Sequence, residues 1–116
     1  MNKRNIGQNF EQAAQEYLAR QGIGCIERNF NCKMGEIDLI CKDKDTFIFV
    51  EVRYRSASQY GNAAATISAS KQNKVRKAAM MYLKLQGYNI HHTAIRFDVI
   101  TIDGEIDTLN WIKNAF

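Results

Sequence analysis

The chain has 116 residues, 46% of them hydrophobic and 24% charged, with no proline and three cysteines; this fits one globular domain around one core and excludes fibrous, low-complexity and disordered classes. The longest uncharged stretch, Ser56 to Ser70, is small and polar where a membrane span needs roughly 20 apolar residues, and basic Met1 to Arg4 has no apolar run behind it, so the cytoplasm is expected. Net charge is a modest +4 but uneven: Arg53 to Phe97 holds eight basic residues and no Asp or Glu, which suggests a basic face for an anionic partner, most simply nucleic-acid phosphates.

From Asn5, the residues Phe10, Ala13, Ala14, Tyr17 and Leu18 recur at three- and four-residue spacing and predict a first helix of about four turns, stopping near Gly22 and Gly24. Ile23 to Phe30 reads as a short strand, and Gly35 to Lys42 as a second, with Glu36, Asp38 and Ile40 alternating against Ile37, Leu39 and Cys41. After a turn at Asp43, Lys44 and Asp45 comes the strongest strand, Thr46 to Arg55. Its two faces are Phe47, Phe49, Glu51, Arg53, Arg55 and Ile48, Val50, Val52, Tyr54. A small-residue loop, Ser56 to Ser68, leads to a long helix closed by Gly87, with Val75, Ala78, Ala79, Tyr82 and Leu85 on its apolar stripe. Ala94 to Ile102 is a further strand and Glu105 to Leu109 a last short one. The order α-β-β-β-α-β predicts an α/β fold with a mixed sheet.

Cys25, Cys32 and Cys41 lie in strand-like stretches without CxxC spacing, which points to free thiols used as small hydrophobes, not to zinc. Adjacent His91 and His92 point to opposite faces of an extended chain and do not share a metal; they read as loop or strand-edge residues.

Asp38 and Glu51 are the anomaly, because carboxylates seldom interrupt strands this hydrophobic. If Lys44 and Asp45 form a two-residue hairpin turn, Asp43 faces Thr46, Ile40 faces Phe49 and Asp38 faces Glu51. Two opposed carboxylates need a proton or a cation between them, and hard oxygens suit Mg²⁺ or Mn²⁺. The same register sets Glu36 opposite Arg53, so a plain ladder of ion pairs is the competing reading.

The strings Gly35-Glu36-Ile37-Asp38-Leu39-Ile40, Phe49-Val50-Glu51-Val52-Arg53 and Arg96-Phe97-Asp98, with Lys71 and the closing Trp111-Ile112-Lys113-Asn114-Ala115-Phe116, resemble the YraN family of small bacterial proteins. The likeness runs from Phe10 and Glu11 almost to Phe116. That family is similar to the PD-(D/E)XK nucleases and archaeal Holliday junction resolvases, which implies an αβββαβ restriction-endonuclease-like core. The resemblance implies metal binding by Asp38 and Glu51 together with the backbone carbonyl of Val52, an assisting acid at Glu11, and the motif lysine's place taken by Arg53. Arginine keeps its proton, so Arg53 orients or neutralises phosphate and is no general base. Arg55, Lys71, Lys74 and Lys77 are expected to hold the nucleic-acid backbone. The implied function is a Mg²⁺- or Mn²⁺-dependent endonuclease acting on DNA in preference to RNA, on branched or structured DNA if the likeness extends to substrate. The alternative is a binding module of the same fold with weak or no hydrolysis. A homodimer is expected by analogy with resolvases that cut two strands.

Overall fold

The computed structural model describes residues 3–55, 67–104 and 108–116, with side chains from Asn9 onward. The elements run α1 (Lys3–Arg20), β1 (Gly24–Cys32), β2 (Gly35–Asp43), β3 (Thr46–Arg55), α2 (Ala69–Leu85), β4 (Ala94–Asp103) and β5 (Leu109–Ile112), with a 3-10 turn at Ile90–His92. One five-stranded sheet takes them in the order β1-β2-β3-β4-β5. The β3–β4 pair is parallel, as a helical crossover requires, and the other pairs are antiparallel. This is the α/β order and mixed sheet that the hydrophobic periodicity predicts.

Two cores lie on the two faces of the sheet. Ala14 and Leu18 of α1 bury against Leu39, Cys41, Ile48, Val50, Ile100 and Ile102. On the opposite face Val75, Ala78, Ala79, Tyr82 and Leu83 of α2 cover Ile37, Ile40, Phe47, Phe49 and Phe97. The alternation along β3 therefore sends its phenylalanines to one helix and its β-branched residues to the other. Leu85, expected on the buried stripe of α2, is 65% exposed, and Leu83 takes that place. Both helices end alike. Gly22 (φ 85°) and Gly87 (φ 83°) adopt the left-handed conformation, and the next residues, Ile23 and Tyr88, donate to the carbonyls of Leu18 and Leu83.

Three further expectations need correction. Ile37 packs on the α2 side with Ile40, while Leu39 packs on the α1 side, so strict alternation fails across Asp38. The partner strand is irregular nearby: Asn29 has a φ of 53° and Phe30 pairs with Ile37. Cys25 and Cys41 are not free thiols but form a disulfide, because the β1–β2 register sets them directly opposite each other. Cys32 remains free and half-buried. The last strand is Leu109–Ile112, with Ile112 paired to Val99 and Leu109 to Ile102, later than the sequence pattern placed it. Residues 105–107 of the expected strand, and most of the Ser56–Ser68 loop, lie outside the described residues. Among the described residues no helix is long and apolar enough to cross a membrane.

Beside the core, Asp98 organises the end of the chain. It is fully buried and accepts from Arg96 Nε and Nη2 (both 2.9 Å), Trp111 Nε1 (2.8 Å) and the Asn114 backbone N–H (2.9 Å). The Ala115 N–H then returns to the Phe97 carbonyl at 2.7 Å, and the Phe116 ring stacks on Phe97. The Arg96-Phe97-Asp98 string is thus a fastening for the C-terminal segment.

Candidate functional site

The β2–β3 hairpin turns at Lys44 (φ 55°) and Asp45, and its ladder runs from Asp43↔Thr46 to Leu39↔Val50. One step further comes Asp38 opposite Glu51, the juxtaposition expected from the turn. The backbone ladder stops there and the carboxylates continue it. The Asp38 N–H donates to Glu51 Oε2 (3.2 Å) and the Val52 N–H donates to Asp38 Oδ2 (2.9 Å). Each acid therefore takes an N–H from the opposite strand, which locks both side chains at the point where the strands part. The ladder ends short of Glu36 and Arg53, so backbone pairing does not hold those two face to face.

Two helices close on this pair. Ser68 caps α2 by accepting from the Lys71 N–H at 3.1 Å, and Lys71 in the first turn reaches back so that its Nζ lies 3.4 Å from Glu51 Oε1. Gly35 makes that approach possible. Its φ is 154°, and a Cβ there would stand 3.1 Å from both Cβ and the carbonyl oxygen of Lys74. From the other side α1 brings Glu11, whose Oε2 lies 3.9 Å from Arg28 Nη2. That oxygen is buried and has no hydrogen-bond partner.

Electrostatics follow from burial. Glu51 is 1% exposed, and desolvation, with the Asp38 charge second, pushes its carboxyl up to about 7 against the pull of Lys71. Asp38 is raised as well, first by burial and then by Glu36, while the Val52 N–H, Lys71 and Arg53 favour its charged form. Glu11 is raised by burial and by the Asp38 charge. The pair accordingly behaves as one unit that keeps a proton into the neutral range. Among the described residues no three His, Cys, Asp or Glu side chains converge into a cluster able to hold an ion by themselves. Glu11 belongs to the electrostatic surroundings of the pair, not to its immediate contacts.

The comparisons with known proteins concern the same stretch of chain. Residues 10–102, which span every site residue named so far, match the family described as uncharacterised protein family UPF0102. A UPF0102 protein of Vibrio vulnificus (strain YJ016) is 50% identical over 113 residues, covering 97% of this chain and 93% of the relative. The chain belongs to family UPF0102. One member from Colwellia psychrerythraea is 50% identical over 112 residues (95% of this chain, 87% of the relative), and one from Aliivibrio salmonicida is 45% identical over 114 residues (98% and 93%). UPF0102 is the family met in the sequence as YraN, so that resemblance holds.

In this UPF0102 chain the basic residues divide. Arg53 is exposed, and its charge is felt at Asp38. Lys74 and Lys77 are exposed on α2 beyond Lys71. Arg55, expected on the nucleic-acid face, is only 7% exposed and grips Asp103 through Nε (2.6 Å) and Nη2 (2.9 Å). The parallel register sets Arg55 beside Asp103, so this guanidinium fastens β3 to β4 and does not belong to an open surface. The contact between Lys71 and Glu51 has no sequence signal beyond Lys71 opening the helix one turn before Val75. Helix and strand meet only through the crossover.

Proposed function

We propose that this UPF0102 protein is a cytoplasmic, divalent-metal-dependent nuclease that hydrolyses phosphodiester bonds of DNA, branched or structured DNA in particular. The observation that carries the reading is the pair of half-buried Asp38 and buried Glu51, bonded across two strands, with an ammonium group on one side and Glu11, whose Oε2 faces Arg28 without a hydrogen bond, on the other. Burying two carboxylates together is unfavourable unless a proton or cation is shared. Purely structural carboxylates in this fold are matched, as Asp98 and Asp103 are by arginines. Asp38 and Glu51 are served instead by two N–H donors, by Lys71 at Glu51 and by the charge of Arg53 felt at Asp38.

The donor set fits Mg²⁺ or Mn²⁺. Such ions bind through one or two carboxylates plus substrate phosphates and waters, with no all-protein cage. Asp38, Glu51 and the Val52 carbonyl would hold the ion, and Glu11 would take a water or a second ion. When bound, the ion supplies charge for the phosphate and a water of lowered pKa.

The chain's own groups do the rest. Lys71 favours the charged form of Glu51 and stands where a phosphate beside Glu51 meets an ammonium group. Arg53 orients phosphate without exchanging a proton. Lys74 and Lys77 follow the backbone along α2 without reading sequence. A homodimer that sets two such sites on two strands completes the reading. Arg53 in place of a lysine favours a second reading, a nucleic-acid-binding module with weak or no hydrolysis. A cleavage panel of linear, single-stranded, flapped and four-way DNA with Mg²⁺ and Mn²⁺, beside Asp38→Asn, separates them: metal-dependent cutting lost in the variant supports the nuclease, and binding without cutting supports the module.

A further inference from the structure

Helix α2 carries a second stripe beside its buried one. Val75, Ala78, Ala79, Tyr82 and Leu83 face the sheet. Lys77, Met80, Met81 and Lys84, at i, i+3, i+4 and i+7, set two half-buried methionines between two exposed lysines, and Met80 also leans on the core. Met34 from the β1–β2 turn and Tyr88 and Ile90 from the segment after α2 wall this stripe into a groove of about 650 Å³. Met34, Tyr88 and Ile90 are 40%, 42% and 41% exposed, unusual for large apolar side chains gathered in one place.

Among the described residues the floor is made of thioethers and aliphatic carbon, Lys77 and Lys84 are the charged residues along it, and no Asp or Glu lines it. That composition selects the occupant. A second copy of this chain, docked by two-fold symmetry, would bring each lysine pair against its own copy, in a protein already carrying +4. A nucleic-acid base needs an open aromatic face. Tyr88, the groove's aromatic residue, is set edge-on against Phe47 at 4.8 Å and has Lys42 Nζ over its ring at 5.8 Å. An unbranched methionine surface reshapes itself around aliphatic and aromatic side chains.

We propose that this groove is a docking site for an acidic amphipathic segment of another protein, which seats apolar side chains on Met80 and Met81 and pairs flanking carboxylates with Lys77 and Lys84. The mode is helix-in-groove recognition, with apolar anchors at helical spacing giving affinity and the lysines giving orientation and on-rate. It recruits the protein to a partner and leaves the Asp38–Glu51 pair, on the first-turn side of α2, open.

Short random peptides displayed on phage, selected on the full chain and counter-selected on Met81→Glu, test this directly. The expected pool is enriched in Asp and Glu flanking apolar residues three or four apart. A labelled peptide from it, followed by fluorescence polarisation, should lose roughly tenfold or more in affinity to Met81→Glu and to Lys84→Glu, and should weaken with salt. The stabilisation of both variants by Mn²⁺ should stay at the parent level, which separates this surface from the proposed metal site; Lys77, which lies on both the groove and the proposed DNA surface, is left unchanged. Lys84 is exposed, so Lys84→Glu keeps the test valid if Met81→Glu fails to fold. Selection without enrichment, a pool lacking acidic residues, or peptide affinity indifferent to Lys84→Glu overturns the proposal. So does displacement of the peptide by a short single-stranded oligonucleotide that itself needs Met81, which would make the groove a nucleic-acid surface. A dimer in sedimentation that Lys84→Glu dissociates would make it a self-interface.

Discussion

Burial of Glu51 makes a prediction about the metal-free protein that runs against ordinary carboxylate behaviour. The unfolded side chain ionises near 4.5 and the folded one near 7. Between those values the folded state binds more protons than the unfolded state, so stability is full below about pH 4.5 and is lost as pH rises through 7. The gap corresponds to about 3 kcal/mol at 1.36 kcal/mol per unit, and Asp38, raised by the same burial, shares the proton within that window. For a chain of this length a change of that size moves the melting temperature by roughly 10 °C.

Thermal melts in chelator should therefore show the parent melting lower at pH 8 than at pH 5. Glu51→Gln, a neutral side chain of the same shape, should flatten the profile and melt above the parent at pH 8. Lys71→Met should steepen it, because the ammonium group 3.4 Å from Glu51 Oε1 is what favours the charged form. A parent profile that is flat or rises from pH 5 to 8, or a Glu51→Gln variant less stable than the parent at pH 8, would refute the reasoning.

Mn²⁺ at about 100 times its dissociation constant should stabilise the parent by about 2.7 kcal/mol and Asp38→Asn by much less; equal gains would place the ion elsewhere. Metal-dependent cleavage should survive Arg53→Lys within about tenfold, whereas Arg53→Ala should lose a hundredfold or more, since oriented charge on a transferring phosphoryl group is worth several kcal/mol. Neutralising Lys74 and Lys77 together should weaken all DNA sequences alike and reduce the slope of log affinity against log salt by about one unit per lost phosphate contact, as a salt titration will read. Asp98→Ala should lower stability by about 3–5 kcal/mol in a denaturant melt, because it strands the half-buried Arg96 and frees the C-terminal segment.

The hairpin site was legible because strand periodicity is two and the turn is short. Once Lys44 and Asp45 turn the chain, the pairing runs in step as far as Leu39 and Val50 and brings Asp38 to Glu51, whereas the Glu36–Arg53 step beyond it is lost. The two helices were legible for a similar reason, since their stripes are local patterns. What escaped depends on contacts between elements whose relative placement no local pattern sets. The β1–β2 turn at Lys33 and Met34 gives no clear register, so the opposition of Cys25 and Cys41 was hidden. Arg55 lies in alternation with Arg53 and reads as a second phosphate ligand. Only the parallel pairing with β4, reached through the crossover, sets it beside Asp103 and buries it.

The same distinction bears on the missing lysine. A sequence reading looks for it two residues after Glu51, on the strand, and finds Arg53. The fold supplies an amine by another route: Gly35 lets α2 lie close on the start of β2, Ser68 caps the helix, and Lys71 arrives at Glu51 from the first turn. The two cations then differ in kind. Arg53 is exposed and permanently charged, suited to a phosphate arriving from solvent. Lys71 is half-buried against a carboxylate that burial pushes toward the neutral form, and it pulls that carboxylate back toward the charged one. On the nuclease reading proposed above, phosphate orientation and charge control at the carboxylates, which the resemblance assigns to one strand lysine, would be divided between a strand arginine and a helix lysine. For that reason Arg53→Ala, which touches the balance only through Asp38, should steepen the pH profile of the metal-free melt less than Lys71→Met, which acts on both carboxylates.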